Sequence, residues 1–268
     1  MLEVMPAEIS LTSEPSPASS AASIFRLYAS LAATLPLDPR SGLGCKLLYA
    51  GEIGAAGRNL LYASNIAGAA SLAASAHPAA LREAMRDGVI DFLVNSLEEA
   101  LRILKNEIRK RQTVSVGVSV DPHHLVDQMV ERGVLPDLLP PIRRPDGEAD
   151  LNRAQADMFL SQGAKRVAEP AAPFPHEAAG FVTWAVDGNF ARWLPRLDAC
   201  AHAVIPADDE LRLRWLRLAP RYLGRLAQRQ RGVLFSVEET LRFGAELGRL
   251  IDKQRSESGE ELKVTIGN

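Results

Sequence analysis

The chain is poor in several residue types that would narrow its chemistry. Only 2 cysteines occur among 268 residues, Cys45 and Cys200, with no CxxC spacing and no histidine-rich pattern beside them. A disulfide framework and a zinc site are therefore not expected, and two reduced, buried thiols with no bound metal are. No run of about 18 apolar residues occurs, so no membrane-spanning helix is expected. Glu3 and Glu8 stand where a secretory leader would be basic, and no continuous apolar segment follows them, which points to a cytoplasmic protein. Neither sign of charge is in excess: 31 Lys and Arg face 33 Asp and Glu, a net charge of -2. That balance offers no electrostatic reason to expect a nucleic-acid or membrane partner.

What remains is the composition of a soluble globular chain, with 47% apolar and 24% charged residues. Its length suffices for one large domain or two modest ones. Residues 1–18, rich in Ser, Pro, Ala and Glu, read as a mobile arm. A short amphipathic helix over residues 21–35 carries Ile24, Leu27, Leu31 and Leu35 at helical spacing, and Pro36 and Pro39 end it.

From residue 46 onward strands and helices alternate. Short apolar runs at 46–50, 69–75, 89–94, 113–120 and 136–139 predict strands buried on both faces. Between them, 57–67, 78–87, 96–111 and 122–132 predict helices. Pro78 and Pro122 suit first helical turns, Ser96 with Glu99 makes a capping box, and Gly88 and Gly133 follow helix ends. This alternation predicts an α/β fold: a Rossmann-like parallel sheet of about five strands with flanking helices, over residues 19–140.

After Leu139 the pattern changes. A proline-rich linker or lid at 140–147 leads into helical patterns at 149–162, 190–203, 208–218, 220–231 and 236–255. A last strand is expected at 263–266. Residues 141–268 are thus expected to be mainly helical. They offer a docking or dimerisation surface, and a homo-oligomer is expected.

The candidate site is the turn after the first strand, Ala50-Gly51-Glu52-Ile53-Gly54-Ala55-Ala56-Gly57-Arg58-Asn59. A strand, a glycine-spaced turn and a helix N-terminus in that order make a phosphate cradle. Gly51, Gly54 and Gly57, with Arg58 and Asn59, are candidates to hold a small anion or nucleotide. The alternative is that the glycines only shape a tight β–α turn. In the sheet order that such folds adopt, Ser119 and Asp121, at another strand end, are expected to border the same cleft. Asp121 also reads as an N-cap before Pro122. His123 and His124 point about 100° apart on a helix and do not converge on a metal.

The ordered run of motifs resembles the NAD-binding domain of the urocanase (urocanate hydratase) family. The glycine turn aligns with that family's Ala-Gly-Leu-Gly-Gly-Met-Gly-Gly-Ala-Gln. Gly88-Val89-Ile90-Asp91, Leu97-Glu98-Glu99-Ala100-Leu101, Val114-Ser115-Val116-Gly117-Val118 and Arg132-Gly133-Val134-Leu135-Pro136-Asp137 follow in family order and spacing. The resemblance implies a Rossmann-like domain and NAD as cofactor, with the turn residues as its binding site.

The departures from the family fall at strand carboxyl ends. Ile53 stands in place of the second glycine, where a β-branched residue is costly at positive φ and bulky beside a phosphate. Ala73-Ala74-Ser75-Ala76-His77 replaces the segment holding the ribose-binding carboxylates. Val120-Asp121 and Pro140-Pro141-Ile142 replace the family's Gly-Asn and Thr-Asp-Gln. The family's catalytic core is also expected to be missing, because none of its glycine-rich or His-His motifs occurs. No catalytic residue can be assigned, and a degenerate nucleotide-binding domain that does not hydrate urocanate by itself is the expectation. A non-enzymatic interaction protein is its rival.

Two further features have bland readings. Arg217, Arg221, Arg225 and Arg229 recur every four residues, as on the solvated face of an amphipathic helix. Trp184, Trp193 and Trp215 are expected in a core or at an oligomer contact.

Overall fold

The computed structural model describes residues 17–141, 151–169, 180–186, 188–258 and 264–267. The expected N-terminal arm lies, up to residue 16, outside the described residues, as does most of the 140–147 linker.

Helix α1 (Pro17–Thr34) leads through a tight loop into strand β1 (Leu47–Glu52). Alternation then runs through α2 (Ala55–Ala67), β2 (Ala70–Ala74), α3 (Pro78–Arg86), β3 (Phe92–Val94), α4 (Leu97–Arg109), β4 (Val114–Val118), α5 (Pro122–Glu131) and β5 (Leu138–Leu139). After α6 (Arg153–Ser161), β6 (Lys165–Arg166) adds a sixth parallel strand, giving the order β3-β4-β2-β1-β5-β6. The sheet therefore runs past residue 140, to a strand too short and too charged to register in the sequence.

The strand pattern follows from burial on both faces. Leu48 and Ala50 of β1 point to the side covered by α1 and α2, while Leu47 and Tyr49 point to α4, α5 and α6. β4 alternates likewise: Val114, Val116 and Val118 face the second layer, and Ser115 and Gly117 face the first. Several motifs that carry the family resemblance tie this scaffold together. Asp137 accepts from the Leu47 N–H at 2.8 Å and from Lys46 Nζ at 2.9 Å, clamping β5 to β1. Asp91 accepts from the Ser115 N–H and hydroxyl at 2.8 and 3.0 Å. Glu99 completes the cap of α4 by accepting from the Asn95 N–H, while Ser96 accepts from the Glu99 N–H.

The C-terminal part is mainly helical, with α7 (Leu194–Val204), α8 (Glu210–Tyr222) and α9 (Val237–Ser258). It also holds an antiparallel sheet of β7 (Gly180–Val186), β8 (Gln230–Phe235) and β9 (Val264–Gly267), in the order β8-β7-β9. One correction concerns the expected helix at 220–231. Pro220 lies inside α8, a short 3-10 turn (Gly224–Ala227) follows, and β8 begins at Gln230. The arginine stripe is accordingly broken. Arg217 and Arg221 are on α8, Arg225 is in the turn, and Arg229 precedes β8.

Trp184 and Trp215 are buried in the first core and Trp193 lies at its edge, 6% exposed. That core runs continuously from Ile24 and Tyr28 of α1 through Leu60 and Ile66 of α2 to Phe243 of α9.

Candidate functional site

β1 ends in a bulge. Tyr49 pairs with Leu72 and Gly51 with Ala73, so Ala50 is an extra residue, and Gly51 takes φ +80°. That left-handed geometry suits glycine and turns the chain into the loop before α2. Gly54 is the N-cap of α2 and offers no side chain to it. The first i→i−4 bond of the helix runs from the Arg58 N–H to the Gly54 carbonyl at 2.9 Å. The N–H groups of Ala55, Ala56 and Gly57 therefore have no acceptor within the helix, at its positive dipole end.

Four helices begin at this carboxyl edge of the sheet, and their ends differ. Ser96 caps α4. Asp121 caps α5, its carboxylate accepting from the His123 and His124 N–H groups at 2.9 and 3.2 Å. α2 and α3 carry no side-chain cap, and they follow the neighbouring strands β1 and β2. The chain leaves β1 toward β2 on one side and reaches β5 on the other. The crevice where connections diverge thus lies beside β1, where open α/β sheets take ligands.

The expected site residues distribute as follows. Gly51, Ile53, Gly54, Gly57, Arg58 and Asn59 are contiguous at the end of β1 and the start of α2. Ser119 and Asp121 lie at the end of β4, two strands away across β2, or about 10 Å at ordinary strand spacing. The Ser119 N–H donates to the Val94 carbonyl, and Asp121 is occupied as a cap.

One expectation about the turn is corrected, and a second residue there has partners of its own. Ile53 is not at positive φ, because the non-glycine residues there among those described are Cys45 and Arg111. Its side chain is 4% exposed and turns into the core, and its N–H donates to the Ala74 carbonyl at 2.9 Å. Gly117 makes the room, since a Cβ there would lie 3.3 Å from Ile53 Cδ1 and 2.7 Å from Ile90 Cδ1. Ile53 therefore withholds its backbone donor from the turn and keeps its side chain in the core. Arg58 is also committed, paired with Asp87 and 3.8 Å from Glu83. Asn59 is half-buried and makes no side-chain hydrogen bond among the described residues, which leaves its amide available.

At the end of β2, Ser75 is buried and accepts from the His77 N–H at 3.1 Å, and the segment 73–77 itself offers no carboxylate. Two residues that sequence reasoning passed over sit nearby. Glu52, half-buried, puts a carboxylate beside the turn. Arg166 of β6 donates to the Pro140 carbonyl at 3.2 Å beyond the end of β5, with no carboxylate partner among the described residues. No group of three or more His, Cys, Asp or Glu side chains able to hold a metal occurs among the described residues. No described helix is long and apolar enough to cross a membrane.

Residues 30–141 match the family model of the Urocanase Rossmann-like domain. The matched span holds β1 to β5, the glycine turn and the uncapped ends of α2 and α3. This part of the chain is similar to that domain and has the parallel α/β architecture the similarity implies.

Proposed function

We propose that the urocanase Rossmann-like domain at residues 30–141 still takes a dinucleotide or smaller anion at the end of β1, NAD+ being the first candidate. The observation that carries this reading is the uncapped N-terminus of α2 behind a positive-φ Gly51. Its free N–H groups and dipole fit a pyrophosphate. Asn59 adds an available amide. The ribose side is weaker, with Ser75 and His77 in place of carboxylates, so affinity is low compared with an intact dinucleotide site. The cytoplasm is the compartment such a nucleotide binder suits.

Urocanate hydration needs a nicotinamide ring held against the imidazole, and loss of positioning alone costs many powers of ten in rate. The chain by itself therefore binds nucleotide without hydrating urocanate. Thermal unfolding with and without NAD+, NADP+ and ATP tests the first half. A ligand at 100 times its Kd adds about 2.7 kcal/mol of stability. No shift with any of the three sinks the proposal. In the same samples, loss of urocanate absorbance above background would overturn the second half.

A rival reading makes the chain an interaction protein. It rests on Val237 and Leu241, 53% and 71% exposed one turn apart on α9. A concentration-dependent mass by sedimentation that Leu241→Glu abolishes would favour it.

A further inference from the structure

At the opposite, amino end of the parallel strands, Arg40, Lys110, Arg111, Arg214 and Arg217 line one cleft of about 370 Å³. The loop before β1, the end of α4 and one face of α8 meet there, and no carboxylate is among the lining residues. Three carboxylates approach these cations from outside. Glu210 pairs with Arg217 at 3.1 Å and Glu107 with Lys110 at 2.9 Å. Asp38 accepts from the Arg40 and Ser41 N–H groups and lies within the field of Arg111. Five cations against three carboxylates leave an excess of positive charge in a concave site.

Arg214 is built in rather than draped over the surface. It is 4% exposed. Its Nε donates to the Ile66 carbonyl at 3.0 Å and one Nη to Ala67 at 3.5 Å, at the end of α2. Two glycines make this possible. A Cβ on Gly42 would lie 2.5 Å from the guanidinium and one on Gly68 2.7 Å, and both have positive φ. The carbonyls explain why the side chain ties α8 to α2, but they carry no net charge. No carboxylate forms an ion pair with Arg214 among the described residues; Glu210 acts on it through its field but is itself paired with Arg217. A permanently charged guanidinium is thus buried beside the cleft with only a shared counter-charge.

Arg111 adds a second irregularity. It occupies the left-handed position that ends α4, with φ +58°. Its N–H donates to the Ile108 carbonyl, and that of Gln112 donates to Glu107. Glycine is the ordinary residue at that point of such a motif. Here an arginine takes the strained backbone and lines the cleft.

We infer that this cleft is a binding site for an oligophosphate, either free or carried on a nucleotide, bridging Arg111, Arg214 and Arg217. Several guanidinium groups around one small concavity call for a ligand of high charge density with many acceptor oxygens, and planar guanidinium forks match phosphate oxygens in pairs. The site is separate from the end of β1 and does not depend on nicotinamide nucleotide binding there.

The test is calorimetric titration of the full chain with inorganic tripolyphosphate, and in parallel with ATP, at low ionic strength. Saturable binding is expected, weakened about tenfold in Arg217→Gln and in Arg111→Gly, in line with the loss of one charged hydrogen bond. Arg249→Gln, which removes an equally charged but exposed side chain of α9, should leave it unchanged. Arg111→Gly relieves the left-handed strain, so its unfolding temperature should hold or rise while affinity falls, which separates ligand contact from fold. ATP binding more tightly than tripolyphosphate, by a margin that Arg217→Gln removes, would identify the phosphates as a nucleotide's, and equal affinity would identify them as free. No saturation by either probe overturns the proposal. So does binding that is undiminished in both arginine variants, or equal affinity for citrate.

Discussion

Ile53 stands where a dinucleotide turn ordinarily has its second glycine, and the temptation is to restore that glycine. The structure argues against it. The side chain is 4% exposed and fills space that Gly117 leaves beside Ile90 and Leu81. Its N–H is already bonded to Ala74. Ile53→Gly should remove a core side chain and loosen the backbone, costing about 3 kcal/mol or more. NAD+ binding should not improve. Urea unfolding measures the first effect and a nucleotide titration of the variant measures the second. A variant as stable as the parent, binding NAD+ more tightly, would show that Ile53 is an obstruction after all. The sequence revealed the substitution but not its direction, because whether a side chain at a turn faces ligand or core depends on strands far away in the chain.

At the scale of elements, the alternating half was legible because each helix there carries its own local punctuation. Asp121-Pro122 opens α5, Ser96 with Glu99 opens α4, and Gly68 at φ +91° closes α2. The antiparallel sheet was legible only in its last strand, expected at 263–266 and found as β9. Thr183 of β7 pairs with Gly232 and also with Gly267, so both partners lie far along the chain. β8 opens on Gln230 and Arg231, continuing a polar and apolar pattern that also suits a helix. Pro220 misled for a related reason. It falls two residues before the end of α8, where a missing N–H costs one hydrogen bond, instead of at a helix start. The glycine turn was readable in the same local way. The partner of Arg58 on α3 and the gathering of Arg40, Arg111 and Arg214 were not, since tertiary packing alone brings them together.

The joint between α8 and α9 is also an element-scale feature, and it is ionic. Arg212 donates to Glu239 through both terminal nitrogens, at 2.6 and 2.9 Å, and through Nε to Asp209 at 2.6 Å. The Glu239 side chain is 7% exposed. Burial alone would raise its pKa, but hydrogen bonds from Arg212 and the Ser236 N–H outweigh that and hold it below its ordinary 4.5. A depressed carboxylate contributes stability that is fully present above the unfolded pKa and is lost as pH falls through the folded one. Glu239→Gln should therefore cost about 3 kcal/mol at pH 7, by leaving Arg212 under-compensated. The cost should shrink as pH falls below 4.5 and through the depressed folded value of Glu239, where the parent loses the same charge. Melting temperatures of both proteins from pH 7 to pH 3 measure this, and a gap that stays constant over that range would refute the assignment.

For the whole molecule, the question is whether the parallel-sheet half and the C-terminal part unfold together. Side chains of α1 and α2 share one core with α8, β7, β8 and α9. Phe25 of α1 meets the Trp215 ring edge-on at 5.0 Å, and Tyr28 donates to the Leu211 carbonyl. Arg214 binds the end of α2 from the far side of the sequence. Separating the halves would expose that shared apolar surface at about 25 cal/mol per Å², more than a marginally stable domain can spare. Unfolding should thus be one cooperative transition despite the length of the chain. The chain supplies a convenient probe, since Trp184, Trp193 and Trp215 all lie after residue 141. Indole fluorescence follows the C-terminal part, whereas far-ultraviolet circular dichroism follows both. The two melting curves should superimpose, and tripolyphosphate or NAD+ should displace them together. A fluorescence transition that runs ahead of the dichroism, leaving a folded parallel sheet behind, would show that the shared core is not what holds the first domain together.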